Sequence, residues 1–334
     1  MDEEFLFTEY NEVILKNKVA TSEEYLKTSR VGRSKRIGRK DKLEVWNLVK
    51  EYQKRKAPNF SKYEVCNLLA TYFDSKDEKP FSHLICDEIQ DFTNIELRLM
   101  RALVPEKSND LFLVGDPFQN IYNRKVNFSA SGINIRGRRS RKLKINYRTT
   151  EEIKRLAVAT ISKEKFDDFN GGIETSKGYV SLMHGNDPRY EVFSTPEQED
   201  AFVADAIEGI LKDHSVSPSN ICVCSRTNRG VDQIKRLLNL KDWKYLDLSS
   251  SKVGKEAIRV SSFHNLKGHE FKFLIVTGVS KDQVPYKHPG FAFYDDKEKS
   301  EYIKQEKSLY YVVFTRAIQR LLITGVGEKT EWFR

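Results

Sequence analysis

Short apolar runs, several closed by an acidic or hydroxyl residue and followed by a helical pattern, constrain this 334-residue chain more than any other feature. His83-Leu84-Ile85-Cys86 ends at Asp87, and Leu111-Phe112-Leu113-Val114 leads through Gly115 to Asp116. Between them Ile95, Leu97, Leu99, Met100 and Leu103 recur at helical spacing until Pro105. Unbroken apolar runs of this length suit strands buried on both faces of a parallel sheet. Strand, helix, strand is then a right-handed crossover unit. The theme returns downstream, with strands expected at 179–183, 221–225, 258–262, 271–277 and 320–324 and helices at 197–211, 229–238 and 306–318. Upstream the period is helical throughout: Leu43, Trp46, Leu48 and Val49, then Tyr63, Val65, Leu68, Leu69 and Tyr72 after Pro58-Asn59. The organisation expected is a helical piece over 1–80, an α/β region over 81–150 and a second over 151–334, with a boundary region near Gly171-Gly172.

A chain this long has room for two domains with cores of their own. No apolar stretch approaches a membrane span, and Met1-Asp2-Glu3-Glu4 is acidic, unlike a secretory leader. Cys66, Cys86, Cys222 and Cys224 make neither a disulfide framework nor a C-x-x-C pair. Cys222 and Cys224 alternate with Ile221 and Val223, so they read as one face of a buried strand. A cytoplasmic protein, with no membrane partner, is the expectation.

The chain carries 57 Lys and Arg against 48 Asp and Glu, a net charge of +9. Nine basic residues and no acid lie between Arg124 and Arg148 (Arg124, Lys125, Arg136, Arg138, Arg139, Arg141, Lys142, Lys144, Arg148), which accounts for all of it. A second cluster, Arg30 to Lys42, has only Asp41 opposing it. A lone cluster is as well explained by a solvated loop. Two clusters favour a polyanion, because each neutralised phosphate releases counterions.

Five strings carry candidate chemistry. Asp87-Glu88-Ile89-Gln90-Asp91 follows an apolar strand, where one carboxylate can hold a hydrated Mg2+ and the next orient a water; acids also cap such turns routinely. In Gly115-Asp116-Pro117-Phe118-Gln119-Asn120-Ile121-Tyr122 the Gln can feel a terminal phosphate. Asn146-Tyr147-Arg148-Thr149-Thr150 sets a ring that can stack beside a guanidinium that can fork onto phosphate. Ser262-Phe263-His264-Asn265-Leu266-Lys267-Gly268-His269-Glu270-Phe271 joins two strands through a polar loop. Tyr311-Val312-Val313-Phe314-Thr315-Arg316-Ala317 puts one arginine on an otherwise apolar helix, where an internal carboxylate or a phosphate would be its partner.

In this order the five strings resemble the motifs of UvrD/Rep-type superfamily 1 DNA helicases. Glu23-Glu24-Tyr25-Leu26, the basic run from Arg30 and Trp46 resemble the helical subdomain upstream of the DExQD strand, so the resemblance covers nearly the whole chain. It implies α/β P-loop NTPase (RecA-like) domains: an incomplete first one over 81–150 and a complete second one over 151–334, after a helical accessory subdomain over 1–80. It implies ATP and Mg2+, with Asp87 holding the metal through water and Glu88 activating the attacking water. Gln119 would sense the γ-phosphate, and Arg148 and Arg316 would stabilise its developing charge. Tyr147 would stack on adenine, and Gly268 and Glu270 would contact the nucleotide from the second domain. Tyr122, Arg124, Arg138, Arg139, Arg141, Ser262 and His264 would face single-stranded DNA, along which the chain would step 3′→5′.

Three departures qualify the resemblance. The sequence contains no G-x-x-x-x-G-K-[ST], the Walker A loop whose backbone N–H groups and Lys cradle a triphosphate. Tyr122-Asn123 is followed by Arg124 where the family has an aromatic. The span from Arg226 to Ser262 is too short for a large inserted subdomain, so a compact member is expected. The missing loop's strand belongs inside the first sheet, to which only three strands can be assigned, 83–87, 111–116 and 141–147. A truncated or split helicase is therefore expected, its Walker A segment or a nuclease partner acting in trans. The competing expectation is a non-catalytic module that binds single-stranded DNA or a partner protein.

Overall fold

The computed structural model describes residues 3–17, 19–30, 37–121, 126–135, 137–169, 172–175, 178–213, 215–250 and 256–333; of Glu3, Glu4 and Arg138 only the backbone is described. The chain divides into two compact units. The first comprises Met1–Pro117, Tyr122–Arg141 and Asp167–Gly172, and the second Phe118–Ile121, Lys142–Phe166 and Ile173–Arg334.

The first unit begins with helix α1 (Glu3–Glu9), which runs on as a π-helical segment (Tyr10–Leu15), then α2 (Ser22–Lys27), α3 (Arg39–Lys56) and α4 (Lys62–Asp74). Thr21 with Glu24 and Ser61 with Glu64 close capping boxes at the starts of α2 and α4, each satisfying orphan N–H groups reciprocally. Phe5, Tyr10, Val13, Ile14, Tyr25, Val45, Trp46 and Val49 form its core. Glu9 is fully buried there, its carboxylate accepting from Arg30 Nε at 2.6 Å, Arg30 Nη2 at 2.8 Å and the Tyr25 hydroxyl at 2.6 Å. Periodicity places the helices well but not always their faces. Val65, Leu68, Leu69 and Tyr72 line a stripe of α4 that is exposed, and α4 packs on α5 (Asn94–Ala102) with other residues.

Strands β1 (Leu84–Cys86) and β2 (Leu111–Leu113) pair in parallel, in register Leu84 with Leu111 and Cys86 with Leu113. These four side chains cover a second core of Ile89, Leu97, Met100, Phe128 and Ile133. Successive side chains of a strand point to opposite faces. Ile85 and Phe112 therefore point away and are 78% and 62% exposed. Burial of this sheet on both faces, expected from its apolar runs, is not found among the described residues. Nor does the third expected strand, 141–147, pair with these two. It is shifted to β3 (Ile145–Thr150), whose parallel partner is β4 (Val180–Met183) in the second unit.

The second unit is built on a six-stranded, all-parallel sheet of β5 (Arg189–Phe193), β6 (Ile221–Ser225), β7 (Tyr245–Asp247), β8 (Ile258–Ser262), β9 (Phe271–Thr277) and β10 (Ala317–Val326), in the order β5-β10-β9-β6-β8-β7. Alternation assigns the faces. Cys222, Cys224, Leu274, Val276, Leu321 and Ile323 pack under helices α6 (Glu151–Ile161) and α9 (Asp296–Phe314). Ile221, Val223, Ile258, Val260, Phe273 and Ile275 pack under α7 (Pro196–Leu211) and α8 (Asn228–Leu240). Cys222 and Cys224 thus do share one face of a buried strand. With both faces covered, the continuous apolar runs of β6 and β9 are what a doubly wound parallel sheet requires. Among the described residues no helix is long and apolar enough to cross a membrane.

Candidate functional site

In the first unit, the chain leaving β1 turns sharply at Glu88, whose φ of 55° is left-handed. Such a backbone costs a non-glycine residue of order 1 kcal/mol and needs support. The Asp87 carboxylate accepts the Glu88 N–H at 2.7 Å. Gln90, fully buried, donates its amide to the Glu88 carboxylate and accepts the Asp116 N–H at 3.0 Å. One side chain therefore ties the acid string after β1 to the Gly115-Asp116 turn after β2. A Cβ on Gly115 would lie 2.5 Å from Ile89 Cγ1 and 2.7 Å from Gln90 Oε1, so only glycine fits. Asp87 is exposed at the strand's carboxyl end. A single open carboxylate suits Mg2+, which keeps most of its waters. Among the described residues no group of three His, Cys, Asp or Glu converges on a metal position.

In the second unit, four strings meet. Arg316 was expected on a helix, but α9 ends at Phe314 and Arg316 lies just beyond it, 3% exposed. Its Nη2 donates to Gln119 Oε1 at 3.0 Å and its Nε to the Val312 carbonyl at 3.1 Å. Lys267 Nζ donates to the Gln119 carbonyl at 3.1 Å. Gly268, at φ 82°, provides the left-handed turn between Lys267 and His269. Arg148 Nε meets Glu270 at 2.8 Å, with both side chains about half exposed. Tyr147 on β3 is 69% exposed. Arg148 is paired with Glu270, while Lys267 and Arg316 both donate to Gln119, so this group carries three cations and one carboxylate, a charge balance suited to phosphate oxygens.

Glu270 precedes β9 and Arg316 precedes β10, so this group sits at the amino ends of two adjacent strands. Ser262 and His264 lie at and after the carboxyl end of β8, on the opposite edge of the same parallel sheet. Next to them, at the end of β6, Arg226 is bound to Glu306, Nη2 to Oε1 at 2.7 Å and Nε to Oε1 and Oε2 at 3.1 and 3.2 Å. Partial burial of the His264 ring and the nearby Arg226 charge push its pKa below the ordinary histidine value.

Family models match in two places. Residues 7–127 match the UvrD/REP helicase N-terminal domain, and residues 236–327 the UvrD-like helicase C-terminal domain. The chain belongs to the UvrD/Rep helicase family. A probable DNA helicase II homolog of Mycoplasma pneumoniae is 27% identical over 209 residues, 56% of this chain and 28% of that protein. The ATP-dependent DNA helicase srs2 of Schizosaccharomyces pombe is 29% identical over 133 residues, 39% of this chain and 14% of that protein. The ATP-dependent DNA helicase UvrD1 of Mycobacterium tuberculosis is 26% identical over 174 residues, 47% and 21% of the two chains. The chain spans less than a third of the length of these relatives.

Of the residues singled out from the sequence, Gln119, Arg148, Gly268, Glu270 and Arg316 are gathered in the second unit, with Tyr147 beside Arg148. Asp87 and Glu88 stand in the first unit. Arg139 and Arg141 are exposed on the first unit, with Arg139 Nη1 donating to the Asn134 carbonyl at 3.4 Å. Tyr122, Arg124 and the Arg138 side chain lie outside the described residues. Four residues of this UvrD-type chain are not singled out by the sequence: Gln90, Lys267, Arg226 and Glu306. Gln90 had a signal, as the one amide inside an acid string; the others are polar residues whose partners are distant in the chain.

Proposed function

We propose that this chain is part of an ATP-dependent motor that couples hydrolysis to 3′→5′ movement on single-stranded DNA. The bond between Gln119 and Arg316 supports it most directly. A γ-phosphate sensor and an arginine held on one another can respond together to the presence of a terminal phosphate. In this reading Arg148 and Arg316 stabilise charge on the transferring phosphoryl group, Tyr147 stacks on adenine, and Gly268 and Glu270 meet the nucleotide. Glu88 takes the proton of the attacking water. Mg2+, when bound, neutralises phosphate charge, and Asp87 is the residue that would hold it. Ser262 and His264, with Tyr122, Arg124, Arg138, Arg139 and Arg141, face the DNA. In the second unit the nucleotide and DNA residues thus lie at opposite edges of one parallel sheet, whose strand-to-strand rigidity would link them.

A second reading, a module that binds DNA without turnover, is favoured by one fact: the sequence holds no G-x-x-x-x-G-K-[ST]. On the first reading the phosphate cradle comes from elsewhere, in cis or in trans. The chain alone is expected to hydrolyse ATP slowly, with or without oligothymidylate. Fast DNA-stimulated turnover that Glu88→Gln abolishes would show that no further segment is needed.

A further inference from the structure

The loop leaving β9 exposes more aromatic surface than folding explains. Tyr286-Lys287-His288-Pro289-Gly290-Phe291-Ala292-Phe293-Tyr294 contains four aromatic residues, a histidine, a lysine and no acid. Phe293, at the end of the 3-10 turn Pro289–Phe293, is 88% exposed. It is carried on a fixed base. The rings of His288, Phe291, Tyr294 and Tyr302 form a connected set with centroids 5.2 to 6.0 Å apart. His288 Nδ1 accepts the Gly290 N–H at 3.1 Å, and the Tyr302 hydroxyl donates to the Tyr286 carbonyl at 2.6 Å.

The loop is also continuous with the surface assigned to DNA. The Arg226 guanidinium lies 4.8 Å from the centre of the Tyr286 ring, and the Tyr286 N–H donates to Glu306 at 3.3 Å. Arg226, His264 and this loop follow the carboxyl ends of β6, β8 and β9, three neighbours in the sheet. That edge is where open α/β sheets bind ligands.

We propose that the 286–294 loop is a stacking platform for unpaired bases of single-stranded DNA, with Phe293 the ring that receives a base and Lys287 close by for its phosphate. The proposal rests on reading Ser262 and His264 as the DNA side, and adds to it residues that belong to none of the five strings. A protein partner would require a contiguous apolar patch of several hundred Å2. Here one ring stands out from half-buried neighbours, which is enough for a base, since every base offers a π-face.

The test is fluorescence anisotropy of a labelled oligothymidylate with the full chain. Phe293→Ala is expected to weaken binding about five-fold or more. Phe293→Tyr restores it, Phe293→Leu does not, and a blunt duplex, whose bases are already stacked, is bound equally by all. Phe293→Trp adds a fluorescence signal that oligothymidylate quenches beyond the response of the unsubstituted chain. Unchanged affinity in Phe293→Ala, full rescue by Leu, or equal losses on duplex overturns the platform while leaving the DNA side intact. Failure of the unsubstituted chain to bind oligothymidylate overturns both.

Discussion

The Arg226–Glu306 pair anchors the carboxyl-end surface of the second unit, and removing one partner should be costly. Glu306 is 3% exposed and the Arg226 side chain 17%. Glu306 accepts three bonds from Arg226 and one from the Tyr286 N–H. Glu306→Leu therefore strands a largely buried guanidinium and a backbone donor. Leaving such a charge uncompensated costs about 3–5 kcal/mol, of which the orphaned N–H accounts for about 1 kcal/mol. With a urea dependence of about 2–3 kcal/mol per M, the unfolding midpoint of this unit should fall by roughly 1–2 M. The double variant Arg226→Met, Glu306→Leu removes both charges and should recover most of the loss, because apolar replacement of a buried pair is often neutral. Urea titrations followed by circular dichroism on the four chains of this cycle measure the coupling. If Glu306→Leu unfolds at the same urea concentration as the parent, or the double variant is as weak as the single one, Glu306 is not what holds Arg226.

Other perturbations have definite outcomes. Gly115→Ala should destabilise the first unit by about 1–3 kcal/mol, the usual cost of overpacking, because its Cβ meets Ile89 and Gln90; a thermal melt equal to the parent's would contradict that contact. Burial alone would raise the Glu64 carboxyl, but Lys56, Tyr10 and Ser61 hold it well down, from an ordinary 4.5 to about 2. A depressed carboxylate contributes its stability above pH 4.5 and loses it as pH falls from there towards 2, about 3 kcal/mol in all. Glu64→Gln should thus be less stable at neutral pH and show a flatter acid limb; parallel limbs would assign the acid sensitivity elsewhere.

Much of the second unit was legible before any coordinates. The bounds expected for β6, β8 and β9 coincide with those observed, because strands covered on both faces are apolar at nearly every position. The edges were not. β5 reads Arg-Tyr-Glu-Val-Phe and β7 has three residues, so neither carries the apolar run of a central strand. Helix α9 begins ten residues before the expected start. Its first turns are charged and its signal is the Asp295–Glu298 capping box rather than an apolar period. In the first unit the apolar stripe of α4 marks the helix and is exposed, since periodicity shows that a face exists and not what covers it. Residue types at the site were readable from the strings, whereas the Gln119–Arg316 contact spans 197 positions of sequence, a pairing that no local pattern shows.

The most direct measurement of a motor is the linkage between its two ligands. Affinity for a labelled oligothymidylate should be titrated with and without millimolar Mg2+ and a non-hydrolysable ATP analogue, for the parent chain and for Arg316→Ala. A coupled motor gives a change of about five-fold or more on adding nucleotide, and Arg316→Ala removes that change while leaving nucleotide-free DNA affinity intact. Identical affinities with and without nucleotide in the parent chain would contradict coupling and leave a DNA-binding module in its place.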